Sequence, residues 1–246
     1  MSAYFVTATG TDIGKTYITA GLIRHLRACN EPVSALKPVV SGFHMAEAEA
    51  SDPGILLRAL GEAVSPEAIV RMSPWQFSPP LSPDMAAARE GRTIPFDELV
   101  AFCRGAIAST KGTLFIEGVG GVMVPLGAHH TVLDWIVALQ VPVILIAGSY
   151  LGTISHTLTA LDVLKTRDVR LAAIVINETA GASVSCEDTG QSISRFAPEC
   201  SIKIVSRDSS SASQEFAALW DAICRYDARR KDCADGDASP ATLQWR

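Results

Sequence analysis

The residues best placed to do chemistry lie in a short loop near the start of the chain. Residues 8–16 read ATGTDIGKT, between a β-prone run and a helical pattern over residues 16–28. A strand, a glycine-bearing loop and Gly-Lys-Thr are typical of a phosphate-binding loop, where backbone N–H groups hold an anion. Lys15 would reach the β- and γ-phosphates of a nucleotide, and the Thr16 hydroxyl would bind Mg²⁺. The first glycine of the common spacing is replaced by Thr9, so a simple glycine turn is the alternative.

Two acidic residues are candidates to complete a magnesium site with Thr16. Mg²⁺ takes oxygen ligands in octahedral geometry, usually one or two carboxylates together with waters. Glu117 ends an apolar run, where phosphate-loop enzymes place their second metal-associated acid. Asp52, in Ser51-Asp52-Pro53, is the other candidate. The alternatives are ordinary capping roles, at a strand end for Glu117 and at a helix start for Asp52.

Composition narrows the class of protein. The chain has 246 residues, 48% of them hydrophobic, with a net charge of −5 and a pI of about 5.5. Lys and Arg residues do not outnumber Asp and Glu, so the chain has no excess positive charge to neutralise nucleic-acid phosphates. This argues against nucleic acid as a partner. The longest apolar run, residues 141–147, is far shorter than the roughly 20 residues of a membrane span. With no signal-peptide pattern in residues 1–8, we expect a cytoplasmic protein without a membrane partner, and reduced thiols at its six cysteines.

Strand and helix patterns alternate along the chain, and this alternation predicts the fold. Helical periodicity is expected in residues 16–28, 96–108, 131–139, 151–165 and 213–226, and apolar strand patterns in residues 4–8, 33–36, 113–116, 141–147 and 171–176. Residues 37–94 are rich in Pro and Ser and should carry short helices. The pattern predicts an α/β fold, a parallel sheet with helices on both faces in three layers, as in P-loop NTPases.

The domain organisation follows from the same pattern. We expect a single domain over residues 1–227, because no change of composition divides it. Residues 228–246 are polar and lack periodicity, so they are expected to form a mobile tail.

Polar segments follow the predicted strands, and they make the structural argument for a site. They are residues 9–16, Lys37, Glu117, residues 148–153 and Asn177. Because ligands of such folds bind at the carboxyl ends of the strands, these segments should surround one site.

These segments together resemble dethiobiotin synthetase. The family's loop reads roughly G-T-D-T-x-V-G-K-T, close to residues 8–16. The other matches are LKPVVSG at 36–42 with Y-K-P-V-x-S-G, Ser51-Asp52 with the metal-binding aspartate segment, PPLSP at 79–83 with P-x-S-P, EGVGG at 117–121 with E-G-A-G-G, and LGTISH at 151–156 with L-G-x-I-N-H. The similarity covers residues 3–178.

The chain also departs from the family's pattern. Ala8 and Gly10 replace the first Gly and the Asp of the loop, and Ser155 replaces an Asn. The family's G-x-I-P run, which helps to enclose the base, has no counterpart around residues 202–205.

The resemblance implies a reaction and its participants. ATP and Mg²⁺ would drive the joining of CO₂ to 7,8-diaminopelargonate and its closure to dethiobiotin, with ADP and phosphate as by-products. The intermediates would be a carbamate and a carbamic-phosphoric anhydride. A homodimer with shared sites is implied, because the family's L-G-x-I-N-H segment holds the substrate carboxylate in the other subunit.

The resemblance also assigns residues to roles. Catalysis falls to Lys37, which would hold the carbamate and stabilise the transferring phosphoryl group, and to Lys15. Nucleotide contacts fall to Asp12, Ile13, Gly14, Lys15, Thr16, Tyr17, Asp52, Glu117, Gly118, Val119, Gly120 and Asn177. Substrate contacts fall to Thr11, Ser41, Gly152, Thr153 and Ile154. The metal ligands would be Thr16, Asp52 and Glu117.

The alternative function is a regulatory ATPase switch of the partitioning and cell-division type, which shares the fold. Those proteins carry an extra lysine early in the phosphate loop, where this chain has Gly10. They often end in a basic amphipathic membrane helix, a pattern that residues 232–246 lack. Both features count against the switch.

Overall fold

Six parallel strands form the central sheet of the computed structural model, which describes residues 2–207 and 212–235. The strands of this sheet are β1 (Ser2–Ala8), β2 (Val33–Leu36), β5 (Thr113–Glu117), β6 (Val143–Ala147), β7 (Leu171–Asn177) and β8 (Ile202–Val205). Their order across the sheet is β2-β5-β1-β6-β7-β8. The predicted class, a three-layer α/β/α fold of the P-loop NTPase type, is confirmed.

A second, two-stranded parallel sheet joins β3 (Val39–Ser41) to β4 (Trp75–Phe77). The sequence pattern did not predict this pair, because three-residue strands in a Pro-rich segment show no measurable alternation. Its effect is to fix the backbone that follows Lys37 against residues 75–77.

Helices cover both faces of the central sheet. They are α1 (Lys15–Ala28), α2 (Asp52–Leu60), α3 (Pro66–Met72), α4 (Pro83–Arg89), α5 (Phe96–Ser109), α6 (Val132–Leu139), α7 (Thr153–Thr166), α8 (Cys186–Ser194) and α9 (Ala212–Asp235), with a 3₁₀ segment at Met45–Ala50. None of those in the described ranges is long and apolar enough to cross a membrane.

The side chains of β1 show how two cores form, because successive residues of a strand point to opposite faces. Tyr4 and Val6 pack into the core beneath α1, α2 and α9. Phe5 points to the other core, where its ring meets the Trp135 ring edge-on at 4.8 Å between centroids. The result is a rigid central strand that delivers the phosphate loop at its carboxyl end.

The structure departs from the predicted elements at the end of the chain. The pattern did not identify α8 or β8, whose short, mixed sequences lack a clear period. The last helix continues to Asp235 instead of ending at Tyr226, because residues 227–235 contain good helix formers although they lack an apolar stripe. The predicted mobile tail is residues 228–246; residues 228–235 belong to this helix, and the rest lies outside the described residues.

Candidate functional site

The phosphate loop, residues 9–14, joins β1 to α1 and has a tightly constrained backbone. Asp12 and Gly14 both adopt the left-handed conformation, at φ 57° and 99°. Gly14 is required there for a second reason, since a Cβ at this position would lie 2.2 Å from the Asn177 side-chain nitrogen. That nitrogen donates to the Ile13 carbonyl at 2.9 Å. The end of β7 therefore holds the loop in shape.

Lys37 lies at the centre of a buried charged cluster beside this loop. Its ammonium lies 2.7 Å from Glu117 Oε1 and 2.8 Å from Asp52 Oδ2. It also donates to the Gly118 carbonyl at 2.9 Å. Lys37 is 2% exposed and Glu117 is fully buried, while Asp52 is 42% exposed. The ends of β2 and β5 and the start of α2 thus bring together three residues distant in sequence.

The cluster shifts the pKa values of its members. Burial alone would lower the pKa of Lys37, but the Glu117 and Asp52 carboxylates outweigh it and hold that pKa above its ordinary value. Burial would likewise raise the pKa of Asp52, but the Lys37 ammonium, with Thr16 and Lys15, holds it below its usual range. Lys37 and Asp52 are therefore both charged at neutral pH.

Lys15 behaves differently because it has no such close carboxylate. Its ammonium donates to the Gly10 carbonyl at 3.3 Å. Burial, followed by the nearby positive charge of Lys37, lowers its pKa to about 8. A phosphate group beside Lys15 would remove this penalty, so the site is electrostatically prepared for an anion.

The residues proposed as metal ligands fit a hard divalent cation. The Thr16 hydroxyl donates to Glu117 Oε1 at 2.7 Å. The other oxygen of the same carboxylate, Oε2, is buried and has no hydrogen-bond partner among the described residues. With Asp52, whose carboxylate contacts both Lys37 and Thr16, these oxygens match the donor set that Mg²⁺ prefers. No group of three His, Cys, Asp or Glu side chains that could hold a metal ion occurs among the described residues.

A cleft of about 500 Å³ opens onto the loop and the cluster. Its walls include these predicted site residues: Thr11, Asp12, Gly14, Lys15, Thr16, Lys37, Ser41, Asp52, Val119 and Gly120. Ser41 reaches it from the end of β3, where Gly42 adopts φ 68° and its N–H donates to the Pro79 carbonyl at 3.0 Å. The proline-rich stretch thus supports the segment that carries Ser41.

Several predicted residues lie close to this cleft but do not line it. The Asn177 side chain donates to the Ile13 carbonyl, and we term this contact the clasp. The Gly118 carbonyl accepts a hydrogen bond from Lys37. The Tyr17 ring instead packs 6.0 Å from the ring of Phe216 in α9. Its predicted nucleotide contact stays a prediction.

The predicted carboxylate-binding segment forms a separate region at the start of α7. Gly152 adopts φ 97° before the first turn, and the buried Thr153 hydroxyl donates to the Gly148 carbonyl at 2.8 Å. Ile154 packs between α7 and α8. These three residues line neither the cleft nor its rim, so their predicted role depends on a second subunit and stays a prediction.

The structure also reveals features that sequence reasoning missed. A second cavity of about 460 Å³ lies at the ends of β6, β7 and β8, lined by hydroxyl side chains with Glu178 and Glu187. Ser149 and Thr179 fasten this edge by reciprocal backbone-to-hydroxyl hydrogen bonds at 3.1 and 2.9 Å. Both residues follow strands, which is the signal that could have found them.

Ser73 is a second residue that the sequence did not single out. It is fully buried, and its hydroxyl donates to the Lys37 carbonyl at 2.6 Å. The Lys37 N–H donates to the Met72 carbonyl at 3.2 Å. The backbone of Lys37 is therefore held from both sides, and no sequence motif marks Ser73 for this role.

Comparison with known proteins provides independent evidence. A family model described as an AAA domain matches residues 2–209. The ATP-dependent dethiobiotin synthetase BioD of Acidiphilium cryptum is 55% identical over 79% of this chain and 88% of its own. The protein of the same name from Methylobacterium nodulans is 50% identical over 80% of this chain and 90% of its own. The protein of the same name from Legionella pneumophila strain Paris is 35% identical over 72% of this chain and 80% of its own.

Solved structures resemble the chain in fold alone. The MinD cell division protein of Aquifex aeolicus superposes with a TM-score of 0.54 at 11% identity, over 93% of this chain and 97% of its own. A chain of the MinC:MinD cell division complex of the same organism superposes with a TM-score of 0.52 at 12% identity, over 97% of this chain and 98% of its own. At such identities the likeness confirms the parallel α/β architecture and does not bear on activity.

Proposed function

The chain belongs to the ATP-dependent dethiobiotin synthetase family, and on that premise we propose that it performs the family's full reaction. ATP and Mg²⁺ drive the carboxylation of 7,8-diaminopelargonate by CO₂ and its ring closure to dethiobiotin. ADP and phosphate are released. The enzyme subclass is a cyclo-ligase that forms carbon–nitrogen bonds. The observation that carries this proposal is the position of Lys37, between the phosphate loop and the segment that presents Ser41.

The reaction has an electrostatic problem that this cleft is suited to solve. A carbamate and a triphosphate are both anionic, and two unit charges 4 Å apart interact by about 4 kcal/mol at an effective dielectric constant of 20. Lys15 and Lys37 place two positive charges on the walls of one cleft. Phosphoryl transfer needs mainly positioning and charge stabilisation, so no side-chain nucleophile is required.

The steps assign a role to each side chain. One amine of the substrate adds to CO₂ and loses a proton, which gives a carbamate that Lys37 holds and Ser41 hydrogen-bonds. The carbamate oxygen then attacks the γ-phosphorus, whose oxygens Lys15 contacts from the loop, and ADP leaves as the bond to the β-phosphate oxygen breaks. The second amine attacks the carbamate carbon and loses a proton, phosphate leaves, and the ring closes. In the free protein the two carboxylates raise the pKa of Lys37, so the reaction starts with a protonated side chain.

Thr16, Asp52 and Glu117 would hold the Mg²⁺ ion. When bound, the ion would neutralise charge on the β- and γ-phosphate oxygens. The support for these ligands is the buried, unpartnered Glu117 oxygen beside the Thr16 hydroxyl.

The remaining predicted contacts complete the proposal. The backbone N–H groups of Gly152, Thr153 and Ile154 at the start of α7 suit a carboxylate, and the family relationship supports their serving the neighbouring subunit of a homodimer. Asn177, next to the loop, is proposed to contact the nucleotide base with the side-chain oxygen that its bond to Ile13 leaves available.

The test is an assay with ATP, Mg²⁺, bicarbonate and 7,8-diaminopelargonate that follows ADP and the cyclic urea by mass spectrometry. We expect urea only when the diamine and the nucleotide are both present. ATP hydrolysis indifferent to the diamine would contradict the proposal and favour the regulatory switch. Swapping ATP for other nucleoside triphosphates would then define the base preference.

A further inference from the structure

The charged cluster already contains a cation, and we propose that Lys37 occupies the position a metal ion needs, so that metal and ammonium compete for Asp52 and Glu117. Metal binding would then release the Lys37 ammonium into the cleft, where the phosphoryl group is transferred. The inference rests on the proposed function, because it requires the metal site at Thr16, Asp52 and Glu117.

The first argument is the coordination of the ammonium. Its three N–H donors meet three oxygens, of Glu117, Asp52 and Gly118, at 2.7, 2.8 and 2.9 Å. The Thr16 hydroxyl donates a hydrogen bond to the same Glu117 oxygen, Oε1, at 2.7 Å. Mg²⁺ requires its oxygens at 2.0–2.1 Å in an octahedron. A divalent ion shared by Thr16, Asp52 and Glu117 would therefore lie where the ammonium now is.

The second argument is charge. Lys37, Asp52 and Glu117 together carry a net charge of −1, and a divalent ion in place of the ammonium would balance both carboxylates. A divalent ion and an ammonium at contact distance in a buried pocket repel each other strongly, because little water screens them. Both cations cannot keep Asp52 and Glu117 as close partners at once.

The third argument is that the ammonium has somewhere to go. The Lys37 backbone is held by Ser73 and Met72, so the displacement is a rotation of the four-carbon side chain alone. Lys37 lines the cleft of about 500 Å³, and Ser41 lies on its wall. Metal loading would thus place the catalytic cation beside the proposed carbamate.

A different placement of the metal ion would contradict this proposal. The unpartnered Glu117 Oε2 could accept a metal ion while Lys37 keeps its place on Oε1. In that arrangement Lys37 would keep its hydrogen bonds when the metal binds, so removing the ammonium would raise metal affinity only through lost charge repulsion, and Lys37 would stay shielded from solvent.

The decisive experiment measures Mn²⁺ binding to the nucleotide-free full chain by electron paramagnetic resonance. We compare the wild type with Lys37→Met, and with Lys111→Met as a control that removes an exposed lysine at the amino-end edge of the sheet. Competition predicts that Lys37→Met binds Mn²⁺ at least about tenfold more tightly than wild type. Lys111→Met should match the wild type.

Each outcome decides a different question. Equal affinities for Lys37→Met and wild type would overturn the competition and leave the proposed metal site standing. Absence of Mn²⁺ binding in both proteins, with and without ATP, would contradict the metal site itself.

A second measurement needs no variant, so it holds even where Lys37→Met does not fold. The wild type is treated with an amine-acylating reagent with and without Mg²⁺, and each lysine is quantified by mass spectrometry. We expect the buried Lys37 to be labelled only when Mg²⁺ is present, while Lys111 is labelled equally in both samples. Unchanged labelling of Lys37 would overturn the proposal.

Discussion

The two halves of the strand-end edge are built from different chemistry. Around β1, β2 and β5, Lys37 and Glu117 are buried and ion-paired, and the second Glu117 oxygen is buried without a partner among the described residues. Around β6, β7 and β8, Ser149 and Thr179 tie the strand ends together, and hydroxyl groups line an open cavity.

The sequence departures occur in both halves. Ala8 and Gly10 lie in the phosphate loop, and Ser155 and the segment around residues 202–205 lie beside β6 to β8. We expect the first half, which we term the transfer half, to tolerate little change around Lys37 and Glu117, because their charges must lie at fixed distances. We expect the second, the recognition half, to vary with less loss, because neutral hydrogen bonds hold it.

Substituting Lys37→Ala tests the transfer half most severely. We expect turnover to fall by roughly 10²–10³-fold or more, since a charge aimed at the transition state is lost. Steady-state kinetics measures this, with circular dichroism to show that the protein is folded. Lys111→Ala serves as the matched control and should keep full turnover. Unchanged turnover in Lys37→Ala would remove the mechanism.

Thr16→Val should have the next largest effect. The substitution keeps the size of the side chain but removes the proposed metal-ligating hydroxyl beside Glu117. We expect Mg²⁺-ATP to bind about tenfold or more weakly by calorimetry, as a lost ligand predicts. Thr16→Ser restores the hydroxyl and should recover most of the affinity. Equal affinity for Thr16→Val would exclude Thr16 as a ligand.

The pH dependence of nucleotide binding sharpens the comparison further. The pKa of Lys15 in the free protein is about 8, so Lys15 is mostly charged at pH 7 and mostly neutral at pH 9. The bound phosphates require the charged form, so ATP affinity should fall by roughly tenfold between these values. Calorimetry at both pH values checks this. Lys15→Arg, which stays charged, should flatten the profile; an equally steep profile would contradict the assignment.

Substitution in the recognition half should cost least. Ser149→Ala removes one of the paired hydrogen bonds to Thr179, a loss worth about 1 kcal/mol. We expect a small drop in melting temperature and a kcat within about twofold of wild type, because no transferred charge is near. Differential scanning calorimetry and kinetics measure the two effects. A loss of kcat as large as that of Lys37→Ala would contradict the different roles proposed for the two halves.

The centre of the fold was predictable because β1, β5, β6 and β7 are apolar runs with a polar segment at each carboxyl end. Parallel pairing alone then brings Lys37 and Glu117 to one edge. The contacts within the cluster were not predictable, since the ion pair of Lys37 with Asp52 depends on how α2 docks, and no spacing encodes that. The support from Ser73 was invisible for the same reason, because it comes from a loop without periodicity.

The clasp between Asn177 and the phosphate loop has a consequence for how the chain is made. The loop lies within residues 8–16, and the strand that leads into it, β1, pairs with β5 and β6. The loop is also held by the Asn177 side chain at the end of β7. During synthesis this contact can form only after residue 177 has left the ribosome. Contacts of such long sequence separation slow folding, so the loop, among the first segments to be translated, is expected to be among the last to be completed.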